Sequence, residues 1–339
     1  MRYIKIILIV GLIGILLFFF LKNVDFGVVF EIISSVNLIF PVVFLLGLYA
    51  QFYIRAYRWG LILKPHKNKI PLFTLYSYTV IGFFLSTLIP GKVGEPAKGI
   101  LLAGEEKISR SYGLASVVLE RLIDTMMMFL LLILSLFFIK DNPSHLLMSF
   151  KKVAYFALPI IVLIFVLFYL LNTERVFNYV ERLIRFAAKV LPDRVRERAV
   201  SFGLNFVKGL RLKLTVGSFI KLLTASLVVW LFLIPFYWFL MRGFEFGAHI
   251  SPQETVPYFC VIVASAAIPT PGMAGSFDTV SRYALEELYP GYVDTNAAVA
   301  YTLLAHFLIL MVMMIPGLVA FSMKGIKLKT IKEMKEKGE

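Results

Sequence analysis

Cysteine is nearly missing from this chain: Cys260 stands alone among 339 residues. A single cysteine excludes an intrachain disulfide and any cysteine-rich metal site. Histidine is almost as sparse, with His66, His145, His249 and His306 scattered and no HExxH spacing. No metal and no cofactor are therefore expected. Charge is scarce too. Only 17% of residues are charged and 59% are hydrophobic, against about 25% and about 45–50% in soluble domains.

What is present is apolar sequence in long blocks. A helical crossing of a bilayer takes about 20 apolar residues. Blocks of that order fall at about 4–21, 37–63, 112–139, 153–172, 218–241 and 295–323. The first has the basic start of a signal peptide. It is long for one, and no small-x-small cleavage site follows it, so it reads as a retained helix. Two further apolar stretches, about 71–104 and 254–288, are interrupted in the middle by Pro and Gly.

The formal net charge of +14 would suggest nucleic acid for a soluble protein. Here the basic residues cluster between apolar blocks, where positive-inside bias and anionic lipid are simpler causes, and no nucleic-acid partner is expected. Residues 64–70, 173–217 and 324–339 carry the basic clusters, whereas Glu286, Glu287 and Asp294 lie in a stretch without Lys or Arg. The basic segments are placed in the cytoplasm, with 140–152 and 242–253 outside. A multi-pass protein of the cell membrane with cytoplasmic termini results. That orientation requires each interrupted stretch to enter and leave on one side. Both are thus predicted to be re-entrant hairpins, the first open to the cytoplasm and the second to the outside. Non-helical backbone at membrane depth must be covered by protein or line a wet cavity, so an internal polar site is predicted. In the basic linker, Val176, Val180, Leu183, Ile184 and Ala187 recur at helical spacing. They predict an amphipathic helix on the inner leaflet, against the plainer reading of a solvated connector.

The two broken stretches share P-G-x-x-G, at Pro90–Gly94 and Pro271–Gly275, 181 residues apart. The same offset carries 37–63 onto 218–244 and 112–139 onto 293–320, both read independently as spans. The fold class expected is therefore an all-α integral membrane protein. It has six full transmembrane helices plus two Gly/Pro-broken re-entrant hairpins arranged as an inverted repeat. The chain, 1–339, reads as a single membrane domain with pseudo-repeat halves 1–150 and 151–339. Inverted repeats with broken segments at matching positions point to a transport site near the midplane. The competing reading is two structural kinks.

Candidate site residues follow from this arrangement. Around the first break stand Pro90, Gly91, Lys92, Gly94, Glu95 and Lys98; around the second stand Pro271, Gly272, Gly275, Ser276 and Asp278. Ser276 is the expected N-cap of the half-helix after it, with Asp278 in its first turn, and such a terminus attracts anions. Gly94 and Gly275 are expected to be intolerant of side chains, and Gly243, in an outer loop, tolerant. In the 112–139 block, Glu120 and Asp124 share a helical face beside Arg121. Ionisable groups at that depth usually face a bundle interior or cavity; a packing ion pair without substrate is the alternative. Gln51, Arg55 and Arg58 form a stripe that ends at Trp59. Arginine suits phosphate. The alternative has both arginines snorkelling to the inner interface with Trp59 in the aromatic belt. Arg55, a turn deeper, is the favoured functional residue.

Four stretches, RWGLIL at 58–63, STLIPGKVGEPAKG at 86–99, SVVLERLID at 116–124 and IPTPGMAGSFD at 268–278, together resemble the lysylphosphatidylglycerol synthase transmembrane-region family, also described as flippase-like. The resemblance spans nearly the whole chain. It implies a membrane domain related to the lipid-flipping part of the multiple peptide resistance factor. The chain ends soon after its last apolar block, so the cytosolic aminoacyl-transferase domain of bifunctional relatives is expected to be absent. The sequence departs from the family pattern at Ser86, Lys92, Lys98, Met273 and Asp278. The resemblance thus implies translocation of a phosphorylated polar lipid, with an anionic phospholipid or lipid-phosphate headgroup as the partner and homo-oligomers left open. A small-solute or ion-coupled carrier is the alternative. An intramembrane diaspartyl enzyme using Asp124 and Asp278 is disfavoured, because Asp278 follows Gly275-Ser276-Phe277 and not Gly-x-Gly, and no enzymatic activity is expected.

Overall fold

The computed structural model describes residues 2–67, 69–89, 93–136, 145–212, 215–266, 268 and 270–326. All regular structure among them is helical: α1 (Arg2–Leu21), α2 (Phe26–Ser35), α3 (Ile39–Leu63), α4 (Leu72–Leu88), α5 (Gly94–Glu105), α6 (Arg110–Ser135), α7 (His145–Asn172), α8 (Glu174–Ala187), α9 (Asp193–Leu210), α10 (Val216–Leu231), α11 (Ile234–Met241), α12 (Thr255–Ser265), α13 (Ser276–Leu288) and α14 (Thr295–Met323). Four stretches are long and apolar enough to cross a membrane: α3, Tyr155–Asn172 of α7, the α10–α11 pair over Val216–Met241, and α14. Val10–Leu21 with Phe26–Ser35, bent by 77°, makes a fifth if counted as one span. The sequence reading expected six. The difference is α6, which is as long as α3 but carries Glu120, Arg121 and Asp124 in its middle.

The bend after α1 has a local cause. Asn23 takes a positive φ of 60°, and the Asp25 carboxylate then accepts hydrogen bonds from Gly27 and Val28 N–H at 2.9 and 3.3 Å, capping a new helix. α2 was not foreseen from the sequence. α14 starts the same way, with Asp294 accepting from Asn296 and Ala297 N–H.

Contacts sort the helix ends into two groups. At one end, the Lys67 ammonium bonds the Glu106 carboxylate, Lys324 meets Glu105 at 2.6 Å, and the His66 ring stacks on Tyr112. Tyr78, near the start of α4, also donates to Glu105 at 2.7 Å. The outer ends of α4 and α5 therefore lie together, beside the basic loops. At the other end, Phe40 packs on Phe239, Tyr289 donates to the Glu254 carbonyl at 2.8 Å, His249 stacks on Tyr292, and Asp25 N–H meets the Asn296 side chain. The outer ends of α12 and α13 lie together there.

The amphipathic helix expected over Val176–Ala187 is α8, whose Tyr179, Leu183 and Phe186 are exposed; the basic linker then continues into α9, which packs on α6 through Gly209 against Ala115 and Tyr112. Gly243 is tighter than expected of a loop position, since a Cβ there would stand 3.0 Å from the Phe40 ring, which would have to give way.

Candidate ion network and amphipathic cavity

The charges of α6 are met by cations from two neighbours. From α3, the Arg58 guanidinium reaches Glu120 at 3.0 Å and bonds Asp124 as well. From α5, Lys98 Nζ meets Glu120 at 2.5 Å and sits 4.6 Å from the centre of the Trp59 ring. Arg121 on α6 itself bridges Asp124 at 2.9 Å, Glu95 at 3.2 Å and Glu120 at 3.5 Å. Glycines permit these approaches. A Cβ at Gly94 would fall 2.1 Å from the Gly82 carbonyl oxygen, so only glycine lets α5 start against α4. Trp59 donates to Ser116 Oγ at 2.9 Å and Trp230 to Asp124 at 3.2 Å.

Arg58 and Trp59 are both 0% exposed. The interfacial reading, in which Arg58 snorkels and Trp59 joins an aromatic belt, is thereby overturned. Arg58 is the structural keystone. Arg55 is different: its one carboxylate contact is Asp124 at 3.7 Å; its Nε, like those of Arg58 and Arg121, is buried with no hydrogen-bond partner among the described residues. Its guanidinium instead faces the Phe83 and Trp230 rings, at 5.6 and 5.5 Å. Four cations, Arg55, Arg58, Lys98 and Arg121, thus meet three carboxylates, Glu95, Glu120 and Asp124, leaving one positive charge in excess among the described residues.

That excess faces a cavity of about 240 Å³. Arg55, Arg121, Glu95, Gln51 and Ser86 make its polar side, and residues such as Phe259, Ile262 and Ile309 make its apolar side. Ser86 Oγ, like Arg55 Nε, is buried without a partner among the described residues. The end of α4 and the second break meet at this cavity: Thr87 lies 3.5 Å from where a Gly272 Cβ would be, and Thr270, Gly272 and Met273 join Ser86 and Thr87 in the wall.

The second break is built from backbone that side chains resist. Gly272, Met273 and Gly275 have φ of 57°, 59° and 75°. Gly275, not Ser276, is the N-cap of α13, and its N–H donates to Asp278 Oδ2 at 2.7 Å. Ser276 Oγ is turned to Thr270, at 2.8 Å. Asp278 Oδ1 faces His306 Nδ1 at 2.7 Å. Asp278 therefore serves the break itself and is not in the cavity wall. Of the other residues singled out from the sequence, Pro271 begins the short 3₁₀ turn of the break. Pro90, Gly91 and Lys92 lie outside the described residues. Sequence reasoning missed His306, dismissed as one scattered histidine, and Trp230. The 181-residue offset places His306 beside the counterpart of Asp124, a signal that was available.

No curated protein and no solved structure was found to be significantly similar to this chain. The family model described as "Lysylphosphatidylglycerol synthase TM region" matches residues 4–317. The match takes in the α6 charges and both breaks, so the chain is an integral multi-pass membrane protein that belongs to the lysylphosphatidylglycerol synthase transmembrane-region family.

Proposed function

We propose that this protein binds a phosphorylated polar lipid, of phospholipid or polyprenyl-phosphate type, and moves it between the leaflets of the cell membrane. The observation that carries the reading is Arg55. It is a permanently charged fork, held between two aromatic rings beside a cavity and lacking a full set of partners. An anionic headgroup oxygen would complete it, with Ser86 Oγ as a second donor. The apolar side of the cavity suits the start of the acyl or prenyl chains. The family match supports a lipid over a soluble solute. An enzymatic role is not proposed, because Asp124 and Asp278 are each engaged by their own cationic or imidazole partner.

In this reading α6 is a sixth span whose charges face inward, and the α4–α5 and α12–α13 pairs are re-entrant hairpins. The inverted repeat is supported by element bounds. Shifting by 181 residues carries α4 onto 253–269, against Thr255–Ser265 for α12, and α5 onto 275–286, against Ser276–Leu288 for α13. Neighbours correspond too: α4 packs on α14 as α12 packs on α6, and α5 on α6 as α13 on α14. Cytoplasmic termini, and α8 lying on the inner leaflet through Tyr179, Leu183 and Phe186, complete the arrangement.

The test is reconstitution into vesicles containing fluorescent phosphatidylglycerol, with an impermeant quencher outside. Faster loss of inner-leaflet fluorescence than in protein-free vesicles is expected, together with its loss in Arg55→Gln. No acceleration with any anionic lipid, alongside uptake of a labelled soluble solute, would overturn the proposal.

A further inference from the structure

The contacts of His306 fix how many protons the second break must hold. His306 Nε2 lies 2.8 Å from the Gly272 carbonyl oxygen, and Nδ1 lies 2.7 Å from Asp278 Oδ1. A carbonyl oxygen only accepts, so Nε2 must carry hydrogen. A neutral imidazole then has a lone pair at Nδ1, aimed at a carboxylate oxygen. That contact is repulsive unless the pair holds one more proton. The other Asp278 oxygen already accepts the Gly275 N–H at the start of α13, so the extra proton lies between Oδ1 and Nδ1, where an imidazolium donating to a carboxylate satisfies both atoms.

Among the described residues no other charged group competes for it. α4, packed along α14, has Tyr76 and Tyr78 as its only ionisable residues, and Tyr78 is bonded to Glu105. On α3, Arg55 and Arg58 are turned to the α6 carboxylates, and Glu31 on α2 is exposed. On α13, Arg282 is held by Glu286 and by α1 carbonyls, while the Phe277 ring covers His306 at 5.0 Å. One turn away on the same two helices, Ser281 and Thr302 are 2.7 Å apart, and Tyr258 reaches Ser281 at 2.7 Å. This hydroxyl chain runs beside the pair, one turn along, into α12.

We propose that His306 and Asp278 form a proton-binding site that clamps the second break to α14, and that release of the proton loosens the cavity wall at Gly272. The bound form is an imidazolium bonded to a carboxylate. Loss of the proton sets a lone pair against either the carboxylate or the carbonyl, so one of the two bonds must break. The loop held by them has three of its four residues 272–275 at positive φ, Met273 among them, and for a non-glycine residue such a conformation persists only where surroundings enforce it. Coupling of this proton to lipid movement rests on the proposed function; binding of the proton does not.

The test uses the full chain labelled with ¹⁵N-histidine in lipid nanodiscs, with signals assigned by replacing each of the four histidines in turn. At pH 7.5, His306 is expected to show two protonated ring nitrogens. In Asp278→Asn the amide can accept from Gly275 and donate to Nδ1 without any added proton, so an unprotonated Nδ1 is expected there. An unprotonated ring nitrogen at His306 in the unmodified protein, or identical His306 signals in both, would overturn the site. Hydrogen exchange of residues 270–276 tests the clamp. As pH is raised, protection should fall beyond the ordinary base-catalysed increase, and should not do so in Asp278→Asn. Unchanged protection would overturn the clamp. Neither readout depends on transport, so a failure of lipid movement would count against the proposed function alone.

Discussion

At the scale of single residues, two arginines one helical turn apart do different work. Arg58 is enclosed and bonded to both α6 carboxylates. Removing one partner of a buried pair leaves charge without compensation and costs about 3–5 kcal/mol. Arg58→Ala is therefore expected to lower stability by that order in mixed-micelle denaturation, with lost expression as the milder sign of the same effect. Arg55 has one long carboxylate contact and two ring faces. Contacts of that kind amount to about 0.5–2 kcal/mol, so Arg55→Gln should stay folded while quenching assays show lipid movement abolished. Equal destabilisation by both substitutions would make Arg55 another packing residue. The sequence made the stripe of Gln51, Arg55 and Arg58 legible and favoured Arg55. It did not show that Arg58 is enclosed, because depth in a bundle depends on which helices cover a face, and periodicity along one helix carries no such information.

At the scale of elements, the breaks were legible and their internal reasons were not. Both P-G-x-x-G stretches end one helix and begin another, as proline and glycine punctuation dictates. Gly94 and Gly275, though equivalent by offset, are required for different causes. Gly94 is crowded by α4 backbone, while Gly275 has φ of 75° and lies 2.9 Å, at its would-be Cβ, from Leu16. α2 went unseen because ten residues with a single Asp25 cap give little periodic signal. α5 is tied to α6 and α13 to α14 through a buried pair each, Lys98 to Glu120 and Asp278 to His306. The sequence showed the first pair's residues but hid the second, since a lone histidine has no pattern. Gly94→Ala must displace backbone and is expected to cost about 1–3 kcal/mol. Gly275→Ala should be of similar harm through strain. Gly104→Ala, where nothing lies within 4 Å of the new methyl, should be neutral or stabilising by up to about 1 kcal/mol, the helix-propensity gain. Thermal unfolding of the three variants in one detergent decides this; a harmless Gly94→Ala would mean that α4 and α5 do not meet as described.

At the scale of the whole molecule, hydropathy located the long apolar blocks because the bilayer imposes a length, and α14 spans 295–323 as read. It also read 112–139 as a span, whereas α6, with Glu120, Arg121 and Asp124 in its middle, is not among the helices apolar enough to cross. Sidedness was read from Lys and Arg placement; the fold adds which helix ends lie together, not which of them faces the cytoplasm. If α4 crossed the membrane and α5 did not return, Glu105 and Glu106 could not meet Lys324 and Lys67, which flank the basic segments. If α12 and α13 did not return, Tyr289 could not reach the Glu254 carbonyl. Cysteines placed singly at Lys67, Lys107 and Lys324 in a Cys260→Ser background should therefore react with an impermeant maleimide from the cytoplasmic side only. Cysteines at His249 and Tyr292 should react from the outside only. The decisive position is 107. Labelling there from the outside, with 67 still cytoplasmic, would mean that the first broken stretch traverses the bilayer. The end of α4 and the second break would then no longer share one central cavity, and the headgroup site at Arg55 would lose its far wall.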